Sequence, residues 1–75
     1  MSEKKADKGT ALRKTIGTLT LRVGRRINTH NSVETNVILN SALSLLNQAM
    51  LIADNNATMA TKLMNHARRL ANIRD

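Results

Sequence analysis

From Thr35 to Ala53 the chain carries no charged side chain, while Val37, Ile38, Leu39, Ala42, Leu43, Leu45, Leu46, Ala49, Met50, Leu51, Ile52 and Ala53 crowd into that span. A segment of this composition has to be covered, and whatever covers it decides the fold. Asn31 followed three residues later by Glu34 has the pattern of a capping box, with an acid near the positive end of the helix dipole. The pattern predicts a helix over 32–53, about 33 Å long at 1.5 Å rise per residue. Its apolar positions lie on more than one helical face, so one neighbour from the same chain is not enough to cover it.

Length sharpens that requirement. A single domain of 75 residues buries only about 60% of its unfolded surface, which makes a lone core marginal. The chain has no Phe, Tyr, Trp or Cys to strengthen one. Small domains of this kind are held by disulfides, a metal or self-association. Cysteine is absent and the two histidines, His30 and His66, stand apart in the sequence, so self-association is the expected remedy. The lack of cysteine, and an N-terminus (MSEKKADKGT) without a secretory apolar core, make the cytoplasm the expected compartment.

Before the central segment, residues 1–9 are rich in Lys and acids without an apolar period, the signature of a flexible basic arm preceding a helical domain at 10–75. From about 11 to 28 two templates compete. Leu12, Ile16, Leu19, Val23 and Ile27 recur at spacings of three and four, as on one face of an amphipathic helix. Thr18 to Val23, however, alternates between polar and apolar residues and is bracketed by Gly17 and Gly24, each of which costs a helix interior about 1 kcal/mol. A strand at 18–23 would need a partner strand from a second chain. It would then look like the paired ribbon of ribbon-helix-helix repressors, with Thr18, Thr20 and Arg22 facing bases and Leu19, Leu21 and Val23 facing the core. The likeness stops at those six residues and identifies no family. The helix spans more of the sequence and is the main expectation.

After the central segment, Asp54-Asn55-Asn56 can stop one helix and, through Asn55 or Asn56, cap another over about 56–73, with Met59, Leu63, Ala67 and Leu70 as its apolar line. No proline enforces the break. An uninterrupted helix is the competing reading, because Leu39, Ala42, Leu46, Ala49, Ala53, Asn56, Ala60, Leu63, Ala67 and Leu70 keep alternating spacings of three and four. That seam is rich in alanine, which suits closely packed helices, and a buried Asn56 could fix its register. The expected fold is therefore all-α: three helices at about 11–28, 32–53 and 56–73, forming an intertwined or side-by-side dimer. Val37, Leu39, Leu43, Leu46, Met50, Leu63 and Leu70 are its expected core and interface.

Charge points to the partner. The formal net charge is +7. Lys4, Lys5, Lys8, Arg13, Lys14, Arg22, Arg25 and Arg26 precede the central segment, Lys62, Arg68, Arg69 and Arg74 follow it, and no Lys or Arg lies between. Such flanks suit a polyanion. The residues expected to contact nucleic acid are Arg13, Lys14, Arg22, Arg25, Arg26, Lys62, Asn65, Arg68 and Arg69, with Arg and Asn able to read guanine and adenine edges. The lack of aromatics disfavours single strands read by stacking, leaving duplex DNA as the expected ligand of a regulatory or accessory homo-oligomer. The alternative is a structural or interaction protein, such as a subunit of a helical assembly or a phage or plasmid accessory factor docking on an acidic partner.

Other classes are disfavoured. The acids are Glu3, Asp7, Glu34, Asp54 and Asp75, scattered and without a nucleophile, a phosphate-cradling glycine loop or a metal-spaced histidine pair, so neither an enzyme nor a cofactor is expected. Val37 to Ala53 is too short, and too rich in Asn and Ser, for a membrane span.

Overall fold

The computed structural model describes the backbone of residues 2–73 and the side chains of residues 9–73. Three helices follow one another: α1 (Ser2–Arg26), α2 (Val33–Ile52) and α3 (Ala57–Leu70). They form an up-down-up rod of 48 × 18 × 16 Å. The middle helix, α2, packs against both neighbours, and α1 touches α3 less extensively. The expected flexible arm at 1–9 falls, Gly9 apart, on residues whose side chains lie outside that description.

In α1 the helical period prevails over the strand alternation. Ile16, Leu19 and Val23 are buried with Leu12 and Ile27 packed beside them, whereas Leu21 is 63% exposed. A strand at 18–23 would have sent Leu19, Leu21 and Val23 to one face, so the ribbon reading is overturned. The energetics explain why. A strand would need a second chain to cover its apolar face, whereas the helix buries Ile16, Leu19 and Val23 against α2 and α3 of the same chain, each contributing about 1.5–3 kcal/mol, which outweighs about 1 kcal/mol for each glycine. The threonines adapt by donating hydroxyl hydrogen bonds to the preceding turn, Thr18 to the Lys14 carbonyl at 3.0 Å and Thr20 to the Ile16 carbonyl at 2.8 Å.

The connection from α1 to α2 is built from asparagines. The Asn28 Oδ1 accepts from the His30 and Asn31 amides at 2.7 and 3.2 Å, an Asx turn. The Asn31 amide group donates to the Arg26 carbonyl and to the Asn36 Oδ1, and the Asn36 Nδ2 donates to the Asn28 carbonyl at 2.8 Å. Asn31 is thus committed to the loop and is not the N-cap. Ser32 takes that place, with extended backbone and its Oγ accepting from the Thr35 amide at 3.1 Å. Glu34 then sits in the first turn without closing a capping box, where the helix dipole still favours its charge.

At the other end of α2, the Asn55 and Asn56 amides both bond the Ile52 carbonyl, at 3.1 and 2.7 Å, and the chain reverses. The Asn56 Oδ1 caps α3 by accepting from the Met59 amide at 3.0 Å. The uninterrupted helix does not form, and Asn56 is an exposed cap, not a buried register residue. Its alanine seam survives in folded form, doubled back on itself. Leu39, Ala42, Leu46, Ala49 and Ala53 of the α2 side meet Ala60, Met64 and Ala67 of α3 in one core cluster with Ile16, Leu19 and Val23. Small side chains let the two helix backbones approach closely.

The expected core needs two corrections. Val37 is 58% exposed, because it lies on the side of α2 opposite the buried positions Leu39, Ala42, Leu46 and Ala49. The apolar line of α3 runs through Ala60, Met64 and Ala67, leaving Met59 44% exposed. Of the remaining expected core residues, Leu39 and Leu46 are fully buried, and Leu43, Met50, Leu63 and Leu70 are half-buried at its margins. Two helices of the same chain cover the flanks of α2 that one could not.

Candidate basic cleft between α1 and α3

Because the helices run up, down and up, α1 and α3 finish at the same end of the rod. Two sets of unsatisfied carbonyls, the negative poles of two helix dipoles, collect there. Arg25 and Arg26 in the last turn of α1, with Arg68 and Arg69 in the last turn of α3, bring cations to the same place. Part of this charge serves the fold. The half-buried Arg26 guanidinium donates through Nη1 to the Ala71 carbonyl and through Nη2 to the Ile73 carbonyl, closing the C-terminal end of α3. Among the described residues, four arginines against two fractional dipole charges nevertheless leave a surplus of positive charge.

That surplus surrounds a cleft of about 320 Å³ between the two helices. Leu19 and Val23 of α1, Leu46 of α2, and Ala67 and Ala71 make its apolar floor, and Arg22, Arg26, Arg68 and Asn72 its polar rim. Spacing explains the rim. Arg22 and Arg26 follow Leu19 and Val23 by three residues each, so they border the buried face of α1, and Arg68 follows buried Ala67 on α3. A second, shallower depression of about 400 Å³ lies along Thr18, Leu21, Arg22, Arg25 and Arg26 of α1. Arg22 and Arg26 belong to both, so the cationic surface continues around the end of α1.

No acid among the described residues lines the cleft. Among the described residues the only ion pair is between Arg13 and Asp54, 2.9 Å apart at the opposite end of the rod, where it ties α1 to the α2–α3 turn. The nine residues expected to contact nucleic acid therefore separate into groups. Arg22, Arg26 and Arg68 converge on the cleft. Arg25 adjoins it on the outer side of α1, and exposed Lys14 lies further toward the α1 N-terminus. Lys62, Asn65 and Arg69, at spacings of three and four, share the exposed face of α3 opposite its buried Ala60, Met64 and Ala67. Arg13 is occupied by Asp54.

Sequence reasoning missed the apolar floor and the capping role of Arg26. The floor joins α1, α2 and α3 residues that no local pattern associates, and the Arg26 contacts span 45 and 47 positions. A signal for the rim did exist in the i, i+4 pair Arg22 and Arg26 beside the apolar face. His66 is exposed on α3, and the described residues hold no group of three or more His, Cys, Asp or Glu side chains suited to a metal ion. No helix among them is long and apolar enough to cross a membrane. Comparison of the chain with family models, curated proteins and solved structures found no match.

Proposed function

We propose that the protein binds duplex nucleic acid, DNA in particular, through the cationic end formed by the last turns of α1 and α3, acting as a homo-oligomer in a regulatory or accessory role. The observation that carries the reading is the convergence of Arg22 and Arg68 from two helices on one cleft, beside the charge of Arg26, with no acid among its described lining residues. Clustered guanidiniums at fixed positions are suited to phosphate oxygens, which they meet through planar paired donors. Lys62, Asn65 and Arg69 on the outer face of α3 form a second exposed group, with residue types that reach both phosphates and base edges. The absence of aromatic side chains disfavours base stacking and hence single-stranded ligands.

The test is a titration of duplex DNA with the protein at several salt concentrations. Affinity should fall steeply, with a log-log slope of about −0.9 for each phosphate neutralised. Absence of binding at about 50 mM salt, where counterion release favours association most, refutes the reading.

One observation favours a second reading, docking on an acidic protein. The cleft floor is made of Leu19, Val23, Leu46, Ala67 and Ala71, and a phosphate backbone has no apolar group to lay on it. An acidic helix with an aliphatic side chain does. Failure to bind DNA together with saturable binding of such a peptide would select this alternative.

A further inference from the structure

We propose that the outer face of α2 is where two copies of the chain pair, antiparallel, about a two-fold axis crossing the helix near Ala42 and Leu43. The inference rests on the homo-oligomer part of the functional reading and is independent of the nucleic-acid part.

The face is defined by what the other helices leave uncovered. Buried Thr35, Leu39, Ala42, Leu46 and Ala49 point into the bundle. On the opposite side Val33 is 76% exposed, Val37 58% and Leu51 80%, with exposed Asn40, Ser44 and Asn47 between them. No large apolar side chain among the described residues is more exposed than Leu51 and Val33. Within this strip there is no charge. Exposed Glu34 lies at its N-terminal edge, and every Lys and Arg is on α1, α3 or the chain ends. In a chain of net charge +7, this is the side on which a second copy meets no cation.

The strip can pair with its own copy in an antiparallel register. Reversing α2 about position 42 sets Val33 against the partner's Leu51, Val37 against the partner's Asn47, and Asn40 against the partner's Ser44. An isologous contact requires such reciprocal pairing. The centre is polar without being obstructive. The Asn40 Nδ2 and the Ser41 hydroxyl donate back to the Asn36 and Val37 carbonyls, at 2.9 and 3.1 Å, which lays both side chains along their own helix. The Asn40 Oδ1 remains as an acceptor for a donor across the axis.

Electrostatics favours the antiparallel choice over the parallel one. The last turns of α1 and α3, with Arg25, Arg26, Arg68 and Arg69, stand at the Val33 end of α2, and the Arg13–Asp54 ion pair at the Leu51 end. Parallel pairing would bring the two cationic ends together. Antiparallel pairing places these arginine-bearing turns at opposite ends of the paired helices, about the 30 Å length of α2 apart and well beyond a Debye length of about 10 Å at 0.1 M salt. The strip is about 30 Å by 10 Å, roughly 300 Å² per copy, below the ~800 Å² per partner of a standard interface. The dimer is accordingly weak and reversible.

The absence of native cysteine makes cross-linking a clean test. Val33→Cys and Leu51→Cys, both at exposed positions, are prepared separately with helicity checked by circular dichroism, then mixed and oxidised at high protein concentration without DNA. A disulfide dimer containing one chain of each, and little dimer from either variant alone, is the expected result. Sedimentation of the wild type should show a concentration-dependent rise from 8.3 kDa toward twice that mass. Ser44→Arg, which sets a guanidinium beside the axis against the partner's Asn40, should hold the chain at the monomer mass with its helicity unchanged. Cross-linking of Val33→Cys with itself overturns the antiparallel register. An oligomer that Ser44→Arg leaves intact and that gives no mixed cross-link overturns this surface while keeping self-association. A monomer at every concentration overturns both.

Discussion

The Arg26 guanidinium donates to the Ala71 carbonyl oxygen, so the last turn of α1 closes the last turn of α3. Arg22, one turn earlier on α1, lines the same cleft but makes no such bond among the described residues. Two arginines of one helix, both expected to meet nucleic acid, thus have different work to do.

That difference is measurable. A charged group bonded to carbonyls contributes about 1.5–3 kcal/mol when buried, and Arg26 is only half-buried, so Arg26→Gln should lower unfolding stability by about 1–2 kcal/mol. Arg22→Gln should stay within about 0.5 kcal/mol of wild type. Urea unfolding of the two variants checks both, and equal losses would contradict the capping role.

The glycines of α1 should respond in opposite ways to the same change. A Cβ at Gly24 meets nothing within 4 Å, so Gly24→Ala should stabilise by about 0.5–1 kcal/mol through helix propensity alone. At Gly9 the added Cβ would lie 2.5 Å from the Asp54 Oδ1. Asp54 must then swing away from Arg13, losing an exposed pair worth about 0–1 kcal/mol, so Gly9→Ala should gain less or nothing. Thermal melting at one pH and salt concentration compares them.

Helix starts give a third test. Ser32→Ala removes the hydroxyl that accepts from the Thr35 amide and should cost about 1 kcal/mol. Glu34→Gln keeps the cap and weakens only the dipole interaction, about 0.5 kcal/mol. The reverse order would restore a capping box led by Asn31.

The alanine seam is the fourth. Ala60 is fully buried between α2 and α3, and Ala60→Leu should cost about 1–3 kcal/mol by forcing the helices apart. Leu46→Ala, at the centre of the core, should cost about 2–5 kcal/mol. Val37→Ala on the exposed side of α2 should change monomer stability little.

These contrasts also show what was legible in the sequence. The helical period of Leu12, Ile16, Leu19, Val23 and Ile27, the break at Asp54 to Asn56 and the Asn56 cap are local patterns, and each appears in the fold. Ser32 and Asn31 could not be told apart, because which one caps depends on whether the Asn31 amide is claimed by the Arg26 carbonyl and Asn36. The same holds for Val37 and Met59, whose exposure follows from where α1 and α3 land on α2. The cleft was least legible of all. Its rim joins Arg22 to Arg68, and only the parallel arrival of two helix ends makes them neighbours.

The most direct test of the proposed role of that cleft is the salt dependence of duplex DNA binding by Arg22→Gln with Arg68→Gln, beside wild type. Each removed phosphate contact takes about 0.9 from the log-log slope, so the double variant should bind more weakly with a slope shallower by about 1.8. Its stability should stay near wild type, since neither side chain is bonded among the described residues. A slope and affinity identical to wild type would contradict the assignment of the cleft as the phosphate-contacting surface.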